Sequence, residues 1–247
     1  MANLLLHQGA QLVDREELWR VETPPATRSW QPISHGHLLH TVHQQLQQAD
    51  YAVTSESHGL SHDTKRYFGL LEVRGRNPTR DFRTVVGIRN AHDKSFPAGL
   101  CLGTCVLVCD NLSFSGELTL ARRHTRHILR DLVGLVRDAI CKFQNLREQQ
   151  EARIGHYKAR TIRDRTAHDV IVQAIDQRIV PVTTLPVVLR EWRTPAHPAF
   201  TEHGKSLWRL ENAFTESWKG SNLHRLPRRS QRLQSLLDRV AGYPLAS

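Results

Sequence analysis

The sequence is short of several things, and each shortage removes a class of function. Aromatic residues make up only 6%, and there is a single methionine. The four cysteines, Cys101, Cys105, Cys109 and Cys141, form no C-x-x-C pair. Without such a pair they are predicted to be free thiols in a reducing compartment. There is no P-loop, no G-x-S-x-G, no H-E-x-x-H and no glycine-rich dinucleotide turn, so the familiar nucleotide-hydrolysing, esterase and zinc-protease signatures are missing. No stretch reaches the ~18 uncharged apolar residues of a membrane span. The opening "MANLLLHQGAQLVDREE" has no basic leader and only a short apolar run, unlike a secretory signal. These features point to a cytoplasmic protein without membrane association.

What is present is positive charge. The 247 residues include 34 Lys+Arg against 24 Asp+Glu, a net charge of +10. Such a surplus attracts polyanions. It is also concentrated. Residues 122–165 hold twelve basic and five acidic side chains, and residues 219–239 hold six and one. Fifteen histidines add charge that appears on mild acidification.

Periodicity predicts an α+β chain. Residues 1–32, with Pro24 and Pro25, read as an extended lead-in. Ser34 caps a helix over 34–50 whose apolar face is Leu38, Leu39, Val42 and Leu46. About five strands follow as hairpins: "YAVTSES" with "RYFGLLEV", "RTVVGIR" with "LCLGTCVLVC", then "LSFSGELTL", in which Gly116 marks a bulge or bend. A helix over about 125–149 carries a stripe of Leu129, Leu132, Val136, Ile140 and Phe143, and another runs over about 151–178. Three shorter helices lie beyond Pro186, the last between Pro227 and Gly242. The expected organisation is an antiparallel sheet domain with a long basic helix over 33–150, then a helical part over 151–247 packed on the same core.

Three features are candidate sites. In the strand 100–109 the cysteines alternate with Leu100, Leu102, Val106 and Val108, so both faces are apolar and the thiols behave as small hydrophobes. Cysteines spread along ~26 Å of strand cannot close on one metal ion. Two turns repeat a phrase, His62-Asp63-Thr64-Lys65 and His92-Asp93-Lys94. Ordinary Asp turn chemistry explains them; so does a pair of loops presenting Lys65, Arg66, Arg89, His92 and Lys94 to a phosphate backbone. Last, Arg122, Arg123, Arg126, Arg130 and Arg137 follow the final strand. On one helix Arg123, Arg126, Arg130 and Arg137 would line up as a stripe, either a solvated face or a nucleic-acid track. Glu56, Asp63, Asp93 and Asp110 could hold Mg²⁺ in a nuclease-like site, but no spacing ties them together. No catalytic residue, metal site or cofactor is assigned.

Three stretches also carry a resemblance: "RSWQPISHGHLL", "VVGIRNAHDKSFPAGLCLGTCVLVCDNLSFSGELTLARRHT", and "LENAFTE" with "LPRRSQRLQSLLD". Here the chain resembles the phage- and plasmid-borne family catalogued as domain of unknown function nine-thirty-two. The middle stretch is the specific part. The resemblance implies a mobile-element setting and an intracellular DNA-handling or anti-defence role. It implies no catalytic residue. The order of helix, meander and basic helix is similar, at fold level, to single-strand annealing proteins, which assemble into rings or filaments on DNA. The expected function is therefore non-enzymatic single-stranded DNA binding or annealing, as a homo-oligomer. The alternatives are an inhibitor that binds a host defence or restriction protein, and a metal-dependent nuclease.

Overall fold

The computed structural model describes residues 10–75, 82–106, 112–219 and 226–244. Its centre is a six-stranded antiparallel sheet in which each strand pairs with the next in the chain. The strands are β1 (Ala10–Val13), β2 (Ala52–Ser61), β3 (Arg66–Arg74), β4 (Phe82–Ala91), β5 (Ala98–Val106) and β6 (Leu112–Arg122). The helices are α1 (Arg15–Arg20), α2 (His35–Gln48), α3 (Ile128–Cys141), α4 (Phe143–Ala159), α5 (Asp164–Asp176), α6 (Leu185–Arg193), α7 (Leu207–Glu216) and α8 (Leu226–Ala241). Mixed α/β with a helical C-terminal half is the expected class.

Side-chain alternation divides the sheet between two cores. On one face Leu71, Val86, Leu100 and Leu102 pack with Leu18 of α1, with Leu38, Leu39, Val42 and Leu46 of α2, and with Leu132, Val136 and Ile140 of α3. On the other, Leu70, Val85, Cys101 and Cys105 pack with Val170 of α5, Trp192 of α6, Phe214 of α7 and Leu237 of α8. Cys101 and Cys105 are thus buried thiols on one side of a strand covered on both faces; Cys109 lies outside the described residues. Burial pushes the Cys101 thiol up to about 12, which makes it inert as a nucleophile. Helix α4 joins the two layers, with Phe143 in the first core and Ile154 and Tyr157 in the second. Tyr157 donates to Asp238 Oδ1 at 2.6 Å, and Arg153 Nε reaches the same oxygen at 3.2 Å, tying α4 to α8.

Four expectations need correction. The lead-in is not simply extended. It contains β1, which pairs with β2 at the sheet edge, so among the described residues the sheet has six strands rather than about five. It also contains α1, closed by a reciprocal capping box between Asp14 and Glu17. Asp14→Ala should destabilise this end by about 1 kcal/mol, the usual value of an N-cap, read as a lowered urea midpoint. The long helix starts at Ile128, not Thr125, because Thr125 is used in an antiparallel bridge to Trp30. That helix turns at Lys142, and the next ends at Ala159. There the backbone leaves the helix to pair with another segment: Leu207 N donates to Arg160 O, and Ile162 N to Lys205 O. The bulge or bend expected at Gly116, by contrast, needs no correction: the β5–β6 register slips there, since Cys101 pairs with Leu118 but Gly103 with Phe114.

Candidate nucleic-acid interface

The β2–β3 and β4–β5 turns project from the same end of the sheet, and their repeated phrase has a repeated geometry. In each, an Asp carboxylate accepts a backbone N–H two residues on: Asp63 from Lys65, and Asp93 from Ser95. The next residue, Thr64 or Lys94, has positive φ, 57° and 63°. A short polar side chain that bonds its own backbone supports such a turn. Arg66 Nε donates to Asp93 Oδ2 at 2.7 Å and so ties one turn to the other. This contact holds the Asp93 carboxyl down at about 2: burial would raise it, but the Ser95 hydrogen bonds and Arg66 outweigh burial. The Asp residues are therefore absorbed by turn geometry, while Lys65 and Lys94 remain exposed.

The lead-in crosses this end beneath the tips. Trp30 bridges Thr125, and Gln31 N donates to His124 O. The chain then enters α2 through Ile33 and Ser34, with the Ser34 hydroxyl accepting from His37 N. Trp30, Lys94, Ser95, Phe96, Arg123 and His124 line a cleft of about 450 Å³. That size falls in the range of about 300–1,000 Å³ typical of small-molecule sites. Lys94 Nζ stands 4.7 Å over the Trp30 ring, a cation–π contact that positions the ammonium without neutralising it. Arg123 also lines the cleft and is exposed. None of the residues lining the cleft is a carboxylate. Such a surface suits an anion with an aromatic or sugar portion beside it.

Three histidines at this end are buried, and one of them, His124, belongs to the lining of the cleft. The His35 and His92 rings stack at 3.9 Å, 6° from parallel. His92 Nε2 meets Ile33 O at 2.9 Å, and His35 Nε2 meets Thr64 O at 3.1 Å. Asn90 donates through Nδ2 to Ile33 O at 2.7 Å and also contacts His35 Nδ1. Burial, with the neighbouring His92 adding to it, lowers His35 to about 3 and His124 to about 4. Burial lowers His92 as well. All three are neutral at pH 7. They fix the path of the lead-in relative to the turns. His92, which the sequence placed among the phosphate-facing groups, is an interior support instead.

The other candidate residues divide by position. Arg122 ends β6 and Arg126 sits in the following turn, both exposed. With Arg123 and Lys94 they belong to the turn end of the sheet. Arg130 and Arg137 lie on α3 and pair with their neighbours Asp131 and Asp138, at 2.8 and 3.7 Å. The continuous helical stripe through Arg123, Arg126, Arg130 and Arg137 is therefore corrected: two of the four precede the helix, because the chain leaves β6 at Arg122 and passes through the Thr125 bridge and a turn before the helix begins at Ile128. Arg89 is half-buried in β4 and lies over Phe96 at 5.5 Å; burial lowers its pKa. Gly99 gives it room, since a Cβ there would stand 2.9 Å from Arg89 Nε. Tyr67 is fully buried and bonds His58 Nδ1 at 3.1 Å. Trp30, not among the candidates named from the sequence, lines the cleft together with Phe96. A tryptophan just after a Pro-rich polar segment was the available signal.

A second polar cluster sits away from the turns. Arg15 donates to both Glu56 oxygens, at 3.0 and 2.6 Å, and His43 Nε2 lies 2.9 Å from Glu56. Burial alone would raise the Glu56 carboxyl; Arg15 and His58 outweigh it, so the group stays ionised below its usual range. The cluster clamps α1 and α2 to β2. Asp110 lies outside the described residues, and Glu56, Asp63 and Asp93 sit apart, each with its own partners. Among the described residues, no group of three His, Cys, Asp or Glu side chains could hold a metal ion, and no helix is long and apolar enough to cross a membrane.

No protein-family model, curated protein or solved structure matches this chain, so its function is argued from the geometry of the turn end.

Proposed function

We propose that the protein binds single-stranded nucleic acid, DNA in the first instance, through the turn end of its sheet, and does so without catalysis. The observation that carries this reading is the carboxylate-free cleft lined by Arg123 and by Lys94, which stands over Trp30. Lys65, Arg66, Arg122 and Arg126 surround it and extend the positive surface along a strand. Cations neutralise phosphates, and a partly exposed tryptophan offers a stacking face that a paired base cannot use. Annealing of complementary strands by a homo-oligomer, in the cytoplasm of a cell that carries a mobile element, is the role that joins this surface to the family resemblance.

The reading is tested by fluorescence anisotropy with a labelled single strand and a duplex of the same sequence. The single strand is expected to bind at least ten-fold more tightly. Equal binding would leave a general cation surface and remove Trp30 from the account. Trp30→Ala should abolish the preference, because stacking is worth about 1–3 kcal/mol per base.

One observation favours a second reading. Leu129 and Val133 are 44% and 48% exposed, one turn apart on α3 and flanked by Arg130 and Arg137. An apolar pair within a basic rim suits an acidic protein surface, as a host-defence inhibitor would require. Capture of a partner after nuclease treatment, lost in Leu129→Asp, would support it.

A further inference from the structure

The second concentration of positive charge, over 219–239, has no part in the cleft. Four of its six basic side chains lie on α8, and none of those four lines the cleft. Helix α8 buries Leu226, Leu233, Leu237 and Ala241 in the core on the sheet face away from α3. Their spacings of seven, four and four define one helical face. Arg228, Arg232 and Arg239, at spacings of four and seven, form a stripe on the opposite face, and all three are exposed. At 1.5 Å per residue the stripe is about 16 Å long. Arg232 Nη1 reaches Gln177 O at 3.4 Å, which sets the stripe beside the exposed Arg178 at the end of α5.

This face differs from α3 in two respects. The carboxylate of α8, Asp238, is buried and taken by Arg153 and Tyr157 of α4. Among the described residues, no ion pair joins Arg178, Arg228, Arg232 or Arg239 to Asp176 or to any other carboxylate. On α3, by contrast, Arg130 and Arg137 have Asp131 and Asp138 beside them. No large apolar side chain of α8 is exposed, whereas α3 exposes Leu129 and Val133. Like charges four residues apart destabilise a helix, so Arg228 and Arg232 weaken α8 in a way that a bound polyanion would reverse.

Resting on the nucleic-acid reading above, we infer that the α8 stripe is a second nucleic-acid surface, which holds another single strand while the turn end holds the first. A straight row of unpaired guanidinium groups matches a chain of repeating phosphates. An acidic protein would need apolar contact at the centre of its interface, and this stripe offers none. It has no aromatic ring on which a base can stack. Its strand is therefore held roughly 100-fold more weakly than the one at the cleft, where stacking on Trp30 and more phosphate contacts contribute. A protomer with two such surfaces can present two strands to each other, as annealing requires.

The test counts strands per protomer. Two non-complementary single strands with different labels are titrated at low salt, each about 8 nucleotides long, within the ~4–16 that one site covers. The wild-type protein is expected to show two plateaus, the first at one strand per protomer and the second at two. Arg228→Gln with Arg232→Gln and Arg239→Gln should keep the first within about three-fold, which also shows that the variant is folded, and should lose the second. The rate at which complementary strands pair in the presence of this variant should fall at least ten-fold. A wild-type protein that saturates at one strand per protomer, or a second plateau that survives the triple substitution, overturns the α8 surface and leaves the turn-end reading intact. Binding of neither strand overturns both.

Discussion

On acidification from pH 7 to pH 5 the protein should lose about 4 kcal/mol of folding stability from two histidines alone. His35 and His124 titrate at about 3 and about 4 in the folded chain, against an ordinary 6.5. Because the folded-state values are lowered, the unfolded chain takes up protons first as the pH falls. The stability tied to the neutral rings is complete above about pH 6.5 and is lost progressively below it. At pH 5 the solution lies about 1.5 units below the unfolded value of each ring, worth about 2 kcal/mol per ring. His92, His43 and His58 shift in the same direction through burial and add to the loss. Against a total stability of about 5–15 kcal/mol, this change is large. Urea unfolding at the two pH values measures it. His124→Phe should remove roughly half of the two-histidine loss, since no hydrogen bond of that side chain is broken by the exchange. A urea midpoint that does not move between pH 7 and pH 5 would mean that the rings are solvated rather than buried. Loss of structure should begin where the three rings meet, at the lead-in and the paired turns.

Reversal of two charges should nearly abolish strand binding while the fold stays intact. Lys94→Glu with Arg123→Glu replaces both cations of the cleft by carboxylates. Both side chains are exposed, so the effect on stability should stay within about 0.5 kcal/mol. A charge-assisted hydrogen bond contributes about 1.5–3 kcal/mol, so losing two predicts at least a 100-fold fall in affinity. The salt dependence should flatten as well, by about 0.7 in log–log slope for each lost phosphate contact on a single strand. The matched control is Arg130→Glu with Arg137→Glu on α3. Those cations already have Asp131 and Asp138 beside them, and the affinity should change by only a few-fold. If the α3 pair matters as much as the cleft pair, the polyanion runs along the helix and the turn end is not the site.

Much of the frame could be read from the chain, and the reasons are local. The α2 stripe, its Ser34 cap and the two-faced apolar run 98–105 are short-range patterns that burial merely completes. The echo of His62-Asp63 in His92-Asp93 was visible because turn chemistry acts within four residues. Other features depend on distant partners. Strand β1 is four residues long and exists through its pairing with β2, some fifty residues away. Helix α1 did advertise itself, through Asp14 and Glu17 at capping-box spacing, but at six residues it has no periodicity to confirm it. No glycine or proline stands between Leu135 and Ile154, so the turn at Lys142 is hidden in the sequence. The cleft was the least legible part. Its walls come from residues 29–30, 94–97 and 123–125, which only the Trp30–Thr125 bridge and the Lys94 turn bring together. The arginine spacing 123, 126, 130 and 137 suits a helix, but β6 and the bridge claim its first half.

The most direct test of the central claim is the salt dependence of single-strand binding by the wild-type protein, followed by anisotropy between about 50 and 200 mM salt. If the turn end neutralises about six phosphates, the log–log slope should be near −4, and binding should be tight at the lowest salt. Failure to bind at 50 mM salt, or an affinity indifferent to salt, would contradict the account and leave Lys94, Arg123 and their neighbours as a protein-docking surface.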